Sequence, residues 1–317
     1  MKLKSKLMAL AATAAMALAA PAVADDWAPA GPLTIQIGFG AGGSTDTMGR
    51  VLAEVMKENT GWNIVVENKP GGGGVAMFTG LSQRPVDNLT IGMGVSIPVH
   101  VQLVQRGDQL PFDVSSFDYL GTVAKAELAL VASKDAPFDD LEGMIAHAKK
   151  EGTLPVATMA PPQVLVMKQT MAAKDAKFNL VTADGGAEVM KLILGGQVLA
   201  GFGSGEQYPY LESGDMKVIA GANQSRLSYA PDKKTFIESG VNAYVDPVFF
   251  LAMRKGTDPD AIQAIAAAIE EATKSPKFAE IVRNAVKGDP INMGVEGTEK
   301  MMIDGLANAK VAVRQIS

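Results

Sequence analysis

A glycine-rich segment between a strand pattern and a helix pattern constrains the fold of this chain most strongly. Leu33, Ile35 and Ile37 alternate with polar residues, which predicts a half-buried strand. After the segment Phe39–Asp46, apolar residues recur at helical spacing over residues 48–56. A glycine turn that opens a helix leaves backbone N–H groups unpaired at the positive end of the helix dipole. The segment therefore predicts a binding turn for an anion, either a carboxylate or a phosphate.

The same segment also matches a weak dinucleotide-binding fingerprint. Gly38, Gly40 and Gly43 have the required spacing, and Glu67 closes the next strand pattern. Glycines, however, serve any tight turn between a strand and a helix. In a dinucleotide fold the third glycine lies inside the helix, whereas here Ser44 follows Gly43 as a predicted N-cap. We therefore expect no nucleotide cofactor, and no other cofactor is indicated.

The first 24 residues form a predicted secretory signal peptide. Lysines at positions 2, 4 and 6 precede an apolar run that is too short for a membrane anchor, and Ala22–Ala24 forms an A-x-A cleavage site. Cleavage after Ala24 removes these three lysines and changes the formal net charge from −5 to −8. We expect an exported chain, residues 25–317, without stable membrane insertion. Its acidity disfavours nucleic acid and anionic membrane surfaces as partners.

Strand and helix patterns alternate along the rest of the chain, which favours an α/β architecture with parallel sheets. Asp258 and Ser275 each precede a proline, which is typical of an N-cap followed by proline at the first helical position. No low-complexity linker interrupts the sequence, so two lobes fit better than two independent domains. The predicted strands cover residues 33–37, 63–66, 89–93, 128–132, 154–157, 198–202 and 218–220.

Few side chains indicate catalysis or metal binding. The chain has no cysteine and two histidines, His100 and His147, which lack the spacing of metal ligands. A Gly-x-Ser-x-Gly nucleophile motif is missing, and the run Gly71–Gly74 lacks the Gly-Lys-Ser/Thr ending of a phosphate-binding loop. These observations favour a binding protein over an enzyme, and they predict no metal site.

Several ordered motifs together resemble those of one receptor family. The segment Phe39–Asp46 is similar to the Phe-x-Ala-Gly-Gly-Ser-Thr-Asp hallmark of the substrate-binding receptors of tripartite tricarboxylate transporters, the TctC or Bug family. Further similarities lie in Val66–Gly74, Leu110–Asp113, Leu194–Val198 and Gly256–Pro259. The resemblance runs over essentially the whole sequence after the signal peptide.

This resemblance implies a two-lobed periplasmic-binding-protein fold (type II-like), in which each lobe is a mainly parallel sheet flanked by helices and the ligand lies in the interlobe cleft. The expected first lobe comprises residues 25–125 and 246–317, and the second comprises residues 126–245. The implied function is that of a monomeric periplasmic receptor, which captures a small organic carboxylate and delivers it to integral membrane transporter subunits. A ligand sensor feeding a membrane signalling kinase remains an alternative, and a secreted enzyme is a less favoured one.

The resemblance also implies that backbone amides, hydroxyls and ordered waters of two facing loops hold the ligand. The second lobe departs from the family pattern, because Pro161 and Pro162 remove backbone donors, Met159 adds apolar surface, and Glu206 follows Phe202–Gly205. We expect one carboxylate on the first lobe and a partly apolar ligand body. A dicarboxylate is the alternative, with its second group on Ser204, Gln163 or a bridging water. The predicted ligand-binding residues are Phe39, Gly42, Gly43, Ser44, Thr45, Asp46, Ser96, Thr158, Met159, Gln163, Gly185, Gly186, Gly203, Ser204 and Phe249.

Overall fold

The computed structural model describes residues 27–314, with side chains up to residue 310, so the predicted signal peptide lies outside the described residues. Within this range, no helix combines the length and the apolar character needed to cross a membrane. The described strands are β1 (Leu33–Ile37), β2 (Ile64–Asn68), β3 (Thr90–Val95), β4 (Phe117–Lys125), β5 (Ala129–Ser133), β6 (Leu154–Thr158), β7 (Phe178–Thr182), β8 (Ala200–Gly203), β9 (Met216–Gly221) and β10 (Val248–Arg254).

Helices connect most of these strands and cover the sheets. The described α-helices are α1 (Ser44–Thr60), α2 (Val75–Gln83), α3 (Ser96–Arg106), α4 (Leu141–Glu151), α5 (Pro161–Lys174), α6 (Gly186–Leu194), α7 (Tyr208–Glu212), α8 (Pro259–Lys274), α9 (Pro276–Val286) and α10 (Gly294–Arg314). The side chains of Asp258 and Ser275 accept hydrogen bonds from the first turns of α8 and α9, as the two cap-proline pairs predict.

Two five-stranded sheets build two lobes, each with its own buried apolar core. The first lobe carries the strand order β2-β1-β3-β10-β4, and the second carries the order β7-β6-β8-β5-β9. The chain passes from the first sheet to the second between β4 and β5, and it returns between β9 and β10. Three of these strands, β4, β7 and β10, were not predicted.

The sheets are mixed, whereas the prediction was of mainly parallel sheets. In the first lobe β1 pairs in parallel with β2 and β3, but β10 pairs antiparallel with β3 and β4. The second lobe repeats the arrangement, with parallel pairs around β6 and antiparallel pairs around β5. The reason is connectivity: β5 and β10 are the strands by which the chain enters each sheet from the other lobe. Both strands are antiparallel to the strands on either side of them.

β1 is more completely buried than its alternating pattern predicts. It lies between β2 and β3, and the side chain of Gln36 is only 5 % exposed. The amide of Gln36 donates to the Glu67 carboxylate at 2.7 Å. Glu67, the acid of the dinucleotide fingerprint, thus satisfies a buried polar neighbour on the adjacent strand.

Loops at the carboxyl ends of strands face each other across the cleft. On the first lobe, residues 38–43 connect β1 to α1. On the second lobe, residues 159–160 connect β6 to α5, residues 183–185 connect β7 to α6, and residues 204–207 connect β8 to α7. In open α/β sheets this is the edge at which ligands bind.

Candidate functional site

The first turn of α1 is bound by a carboxylate from the opposite lobe. α1 begins at Ser44, with Gly43 as its N-cap and no capping side chain. Ser44, the predicted N-cap, is therefore the first helical residue. Its backbone N–H donates to Oε1 of Glu206 at 2.6 Å, across 162 positions of sequence. A carboxylate suits this position because it meets an unpaired N–H at the positive helix end.

The Glu206 carboxylate also lies against the start of α6. Its Oε2 accepts from the backbone N–H of Ser204 at 3.1 Å. A Cβ atom added at Gly186, the first residue of α6, would overlap this carboxylate, and one at Gly43 would lie 3.3 Å from Oε1. Glycine at both positions thus leaves room for the carboxylate. The N-termini of α1 and α6, one from each lobe, converge on a single carboxylate.

A network around Asp46 fixes the loop that precedes α1. Asp46 is 4 % exposed and accepts hydrogen bonds from the Gly42 N–H at 2.9 Å and the Asn68 amide at 2.8 Å. Arg50 approaches the same carboxylate at 2.9 Å. Burial alone would raise the pKa of Asp46, but the hydrogen bonds from Arg50, Gly42 and Asn68 outweigh burial and lower it. Asp46 therefore orients the loop and does not face the cleft cavity.

The loop that starts α5 is apolar and poor in donors. α5 begins at Pro161 and Pro162, neither of which has a backbone N–H. The buried Gln163 side chain accepts from the Met159 N–H at 2.7 Å, so its carbonyl serves the loop itself. Thr158, 1 % exposed, has a hydroxyl without a hydrogen-bond partner among the described residues. This half of the cleft therefore offers mainly apolar contact.

A cavity with about 40 Å³ of free space for water lies between the two lobes. Glu206 is the single charged side chain among its lining residues within the described chain. Most of the wall is apolar or aromatic, including Phe39, Met159 and Phe249. At roughly 10–15 Å³ for each water, this space has room for about three water molecules. A larger ligand requires either that the Glu206 carboxylate moves or that the lobes separate.

Nine of the predicted ligand-binding residues line this cavity, and they come from both lobes. They are Phe39, Gly43, Ser44, Thr45, Met159, Gln163, Gly186, Ser204 and Phe249. Phe249 reaches it because β10 runs antiparallel to β3, which places the start of β10 beside Val95 at the carboxyl end of β3.

The other six predicted residues stand behind the cavity wall. Ser96 accepts a hydrogen bond from the Val248 N–H at 3.3 Å and so joins α3 to β10. Gly185 is the N-cap of α6 and packs against the backbone of Gly40. Gly203 ends β8 and gives room to the Gln207 side chain. The remaining three of this group are Gly42, Asp46 and Thr158.

Sequence reasoning did not assign a contact to Glu206, the most consequential of the missed residues. Its signal was the departure from the family pattern after Phe202, where an acid follows Ser204-Gly205. The other missed lining residues are Val95, Pro98, Leu128, Ala160, Pro162, Val245 and Pro247. Several of these lie on the segments that cross between the lobes, where no local pattern indicates which side faces the cleft.

The described residues, 27–314, hold no group of three or more His, Asp or Glu side chains that could bind a metal ion. The chemistry of the site therefore consists of two helix ends, one tethered carboxylate, hydroxyl groups and apolar walls. Such a site can bind a polar ligand with an apolar body.

Comparison with known proteins identifies the family of the chain. The family model described as tripartite tricarboxylate transporter family receptor (TctC) matches residues 48–317. A UPF0065 protein of Cupriavidus necator is 31 % identical over 276 residues, which cover 85 % of this chain and 84 % of that protein. Protein BugT of Bordetella pertussis is 29 % identical, with coverage of 83 % and 82 %.

Solved structures share the two-lobed fold. The periplasmic binding protein BugD superimposes with a TM-score of 0.81 at 21 % identity, covering 91 % of this chain and 98 % of BugD. MatC from Rhodopseudomonas palustris, with bound malate, gives a TM-score of 0.80 at 20 % identity, with coverage of 90 % and 99 %. The predicted two-lobed α/β fold is confirmed. The chain belongs to the TctC family of tripartite tricarboxylate transporter receptors.

Proposed function

We propose that this protein is a periplasmic receptor that captures a small organic carboxylate in the interlobe cleft. It delivers this ligand, as a monomer and without catalysis, to integral membrane transporter subunits. The ligand carboxylate binds at the start of α1, where the Ser44 N–H and the Thr45 hydroxyl supply donors. The predicted lobe boundaries and the export signal ending at Ala24 belong to the same proposal.

One observation supports the proposal that the ligand contains a carboxylate. The N-termini of α1 and α6 converge on a carboxylate, that of Glu206, and glycines at positions 43 and 186 leave the space that it fills. A site that binds the carboxylate of a side chain in this way has the size and donors for the carboxylate of a ligand. The ligand carboxylate replaces the Glu206 carboxylate as the acceptor of the hydrogen bond from the Ser44 N–H.

The structural neighbours support the same ligand class. MatC is bound to malate, and another Rhodopseudomonas palustris protein of this fold, with a TM-score of 0.77 at 18 % identity, is in complex with adipate. Both compounds are small carboxylic acids. The apolar walls at Met159 and Phe249 add the expectation that the body of the ligand is partly apolar.

A thermal-shift screen tests the ligand class. Its panel contains malate, adipate, aliphatic and aromatic monocarboxylates and amino acids, together with glucose, inorganic phosphate and divalent cations. We expect that carboxylic acids alone raise the unfolding temperature, because only a bound ligand stabilises the native state. Stabilisation by glucose or phosphate and by no carboxylic acid would contradict the proposal. Mass spectrometry of the compound released from freshly purified protein then identifies the ligand.

A further inference from the structure

We propose that Glu206 determines ligand specificity: the cleft accepts a carboxylate that also carries an ammonium group, and Glu206 pairs with that ammonium. The inference rests on the proposed function, since it assumes that a ligand carboxylate binds at α1. It concerns the net charge of the ligand. The observation behind it is that the carboxylate site already contains a carboxylate of the protein.

Glu206 is held at this site by contacts in both lobes. Its two oxygens accept from Ser44 of the first lobe and from Ser204 of its own loop. The loop packs closely on the first lobe, because a Cβ added at Gly205 would overlap the backbone carbonyl of Ala285. The carboxylate can rotate about its side-chain bonds, but its backbone stays beside the cavity. A ligand that displaces it from Ser44 therefore keeps it as a close neighbour.

The positive helix ends at the cavity already interact with carboxylates of the protein: Glu206 accepts from the Ser44 N–H, and Asp46 and Glu188 lie in the first turns of α1 and α6. Two helix N-termini contribute about half a positive charge each, so together they offset no more than one carboxylate. The lining residues include no lysine or arginine. The nearby Arg50 already pairs with Asp46 behind the wall, at 2.9 Å. A second carboxylate would thus add an uncompensated negative charge between apolar walls, which is unfavourable.

An ammonium group on the ligand removes this imbalance. The ligand carboxylate then binds the Ser44 N–H, and the displaced Glu206 carboxylate accepts from the ammonium. The ligand as a whole is zwitterionic and adds no net charge to the cleft. The aromatic rings of Phe39 and Phe249 in the wall are compatible with a nearby cation. Simple mono- and dicarboxylates lack this compensation.

Matched pairs of ligands test the inference by titration calorimetry. The pairs are 3-phenylpropanoate with phenylalanine, pentanoate with 2-aminopentanoate, and butyrate with 4-aminobutyrate, which differ only in the ammonium group. For the pair that binds, we expect the wild-type protein to bind the amino member about tenfold or more tightly, the range of one charge-assisted hydrogen bond. In Glu206→Gln this preference should disappear, and the plain acid should bind more tightly than it binds the wild type.

Three further variants control the result. Glu206→Asp keeps the charge and should keep the preference for the amino member. Glu206→Ala is a second neutral variant and should lose the preference as Glu206→Gln does. Glu151→Gln removes a charge from a side chain that is 50 % exposed and pairs with Lys150 of the same helix, so it should leave both affinities unchanged. Thermal unfolding checks that each variant is folded.

The outcomes separate this inference from the proposed function. If plain acids bind the wild-type protein as tightly as their amino partners, or if the neutral variants keep the preference, Glu206 does not set specificity, although the carboxylate receptor stands. If no member of any pair and no carboxylate of the thermal-shift panel binds, the proposed function itself fails, and this inference fails with it.

Discussion

Single residues at the start of α1 decide what the cleft can bind. Gly43 has no side chain, so a carboxylate reaches the Ser44 N–H, and a Cβ at this position would lie 3.3 Å from the bound oxygen. Thr45 is 4 % exposed and lines the cavity beside it. Asp46 faces the opposite way and holds the preceding loop through the Gly42 N–H. Within one turn, therefore, Gly43 leaves space for the carboxylate, Thr45 faces the cavity, and Asp46 holds the preceding loop in place.

Substitutions in this turn should separate loss of binding from loss of fold. Thr45→Ala should weaken binding of the best carboxylate by about 1.5–3 kcal/mol, as for a hydrogen bond to a charged group, whereas Thr45→Ser should retain it. Gly43→Val should abolish binding, because its branched side chain fills the carboxylate position. Calorimetry measures the affinities. Full affinity in Thr45→Ala and Gly43→Val, with unchanged thermal unfolding, would place the anion site elsewhere.

At the scale of elements, local patterns predict the starts of some helices and seven of the ten described strands, but not the tertiary contacts. The prolines after Asp258 and Ser275 identify the starts of α8 and α9 from neighbouring residues alone. β10 (Val248–Arg254) is an apolar run that ends in Arg254, and the periodicity of such a short run does not distinguish a buried strand from a buried helix segment. The bond from Ser44 to Glu206 joins residues 162 positions apart, so no local pattern can reveal it.

Helix packing against a buried histidine gives the protein a predictable response to pH. His100 on α3 is 1 % exposed and packs against Gly305 of α10. Burial lowers the pKa of His100 from 6.5 to about 4. Between these two pH values the unfolded chain binds a proton that the native protein does not. The contribution of His100 to the free energy of unfolding is therefore complete above pH 6.5 and decreases as the pH falls towards 4.

The expected loss from His100 amounts to about 3 kcal/mol over that interval. Denaturant unfolding at pH 7, 6, 5 and 4 measures it. His100→Gln, which cannot titrate, should be less stable at pH 7 and should lack this part of the decrease. An equally steep decrease in the variant would show that other groups cause the pH dependence.

At the scale of the whole molecule, the two lobes meet through the cleft and through the crossing segments. The Gly40 N–H donates to the Asp184 carbonyl at 3.0 Å, which joins the loops before α1 and α6. At the crossing, the Asn223 side chain bonds the Leu128 N–H at 2.6 Å and the Asp246 carboxylate at 2.9 Å. Asn223 thus ties together the segments that enter β5 and β10, where a hinge between the lobes is expected.

Ligand binding should favour the closed arrangement of the lobes. A ligand held by loops of both lobes gains its full contacts only when the cleft is closed. We expect a smaller radius of gyration in small-angle X-ray scattering when the best carboxylate is present at saturation. The Gly43→Val variant, which should not bind, serves as the control and should show no contraction. An identical scattering profile with and without a bound ligand would contradict binding in the cleft.

The central claim is that a ligand carboxylate binds the start of α1, opposite α6. Two-dimensional ¹H–¹⁵N NMR of the labelled protein tests it directly, by titration with the carboxylic acid that gives the largest thermal shift. We predict that the backbone amide signals of Ser44, Thr45 and Gly186 move and saturate with the dissociation constant measured by calorimetry. Saturable changes confined to amides outside the cleft, with these three signals unmoved, would contradict the account.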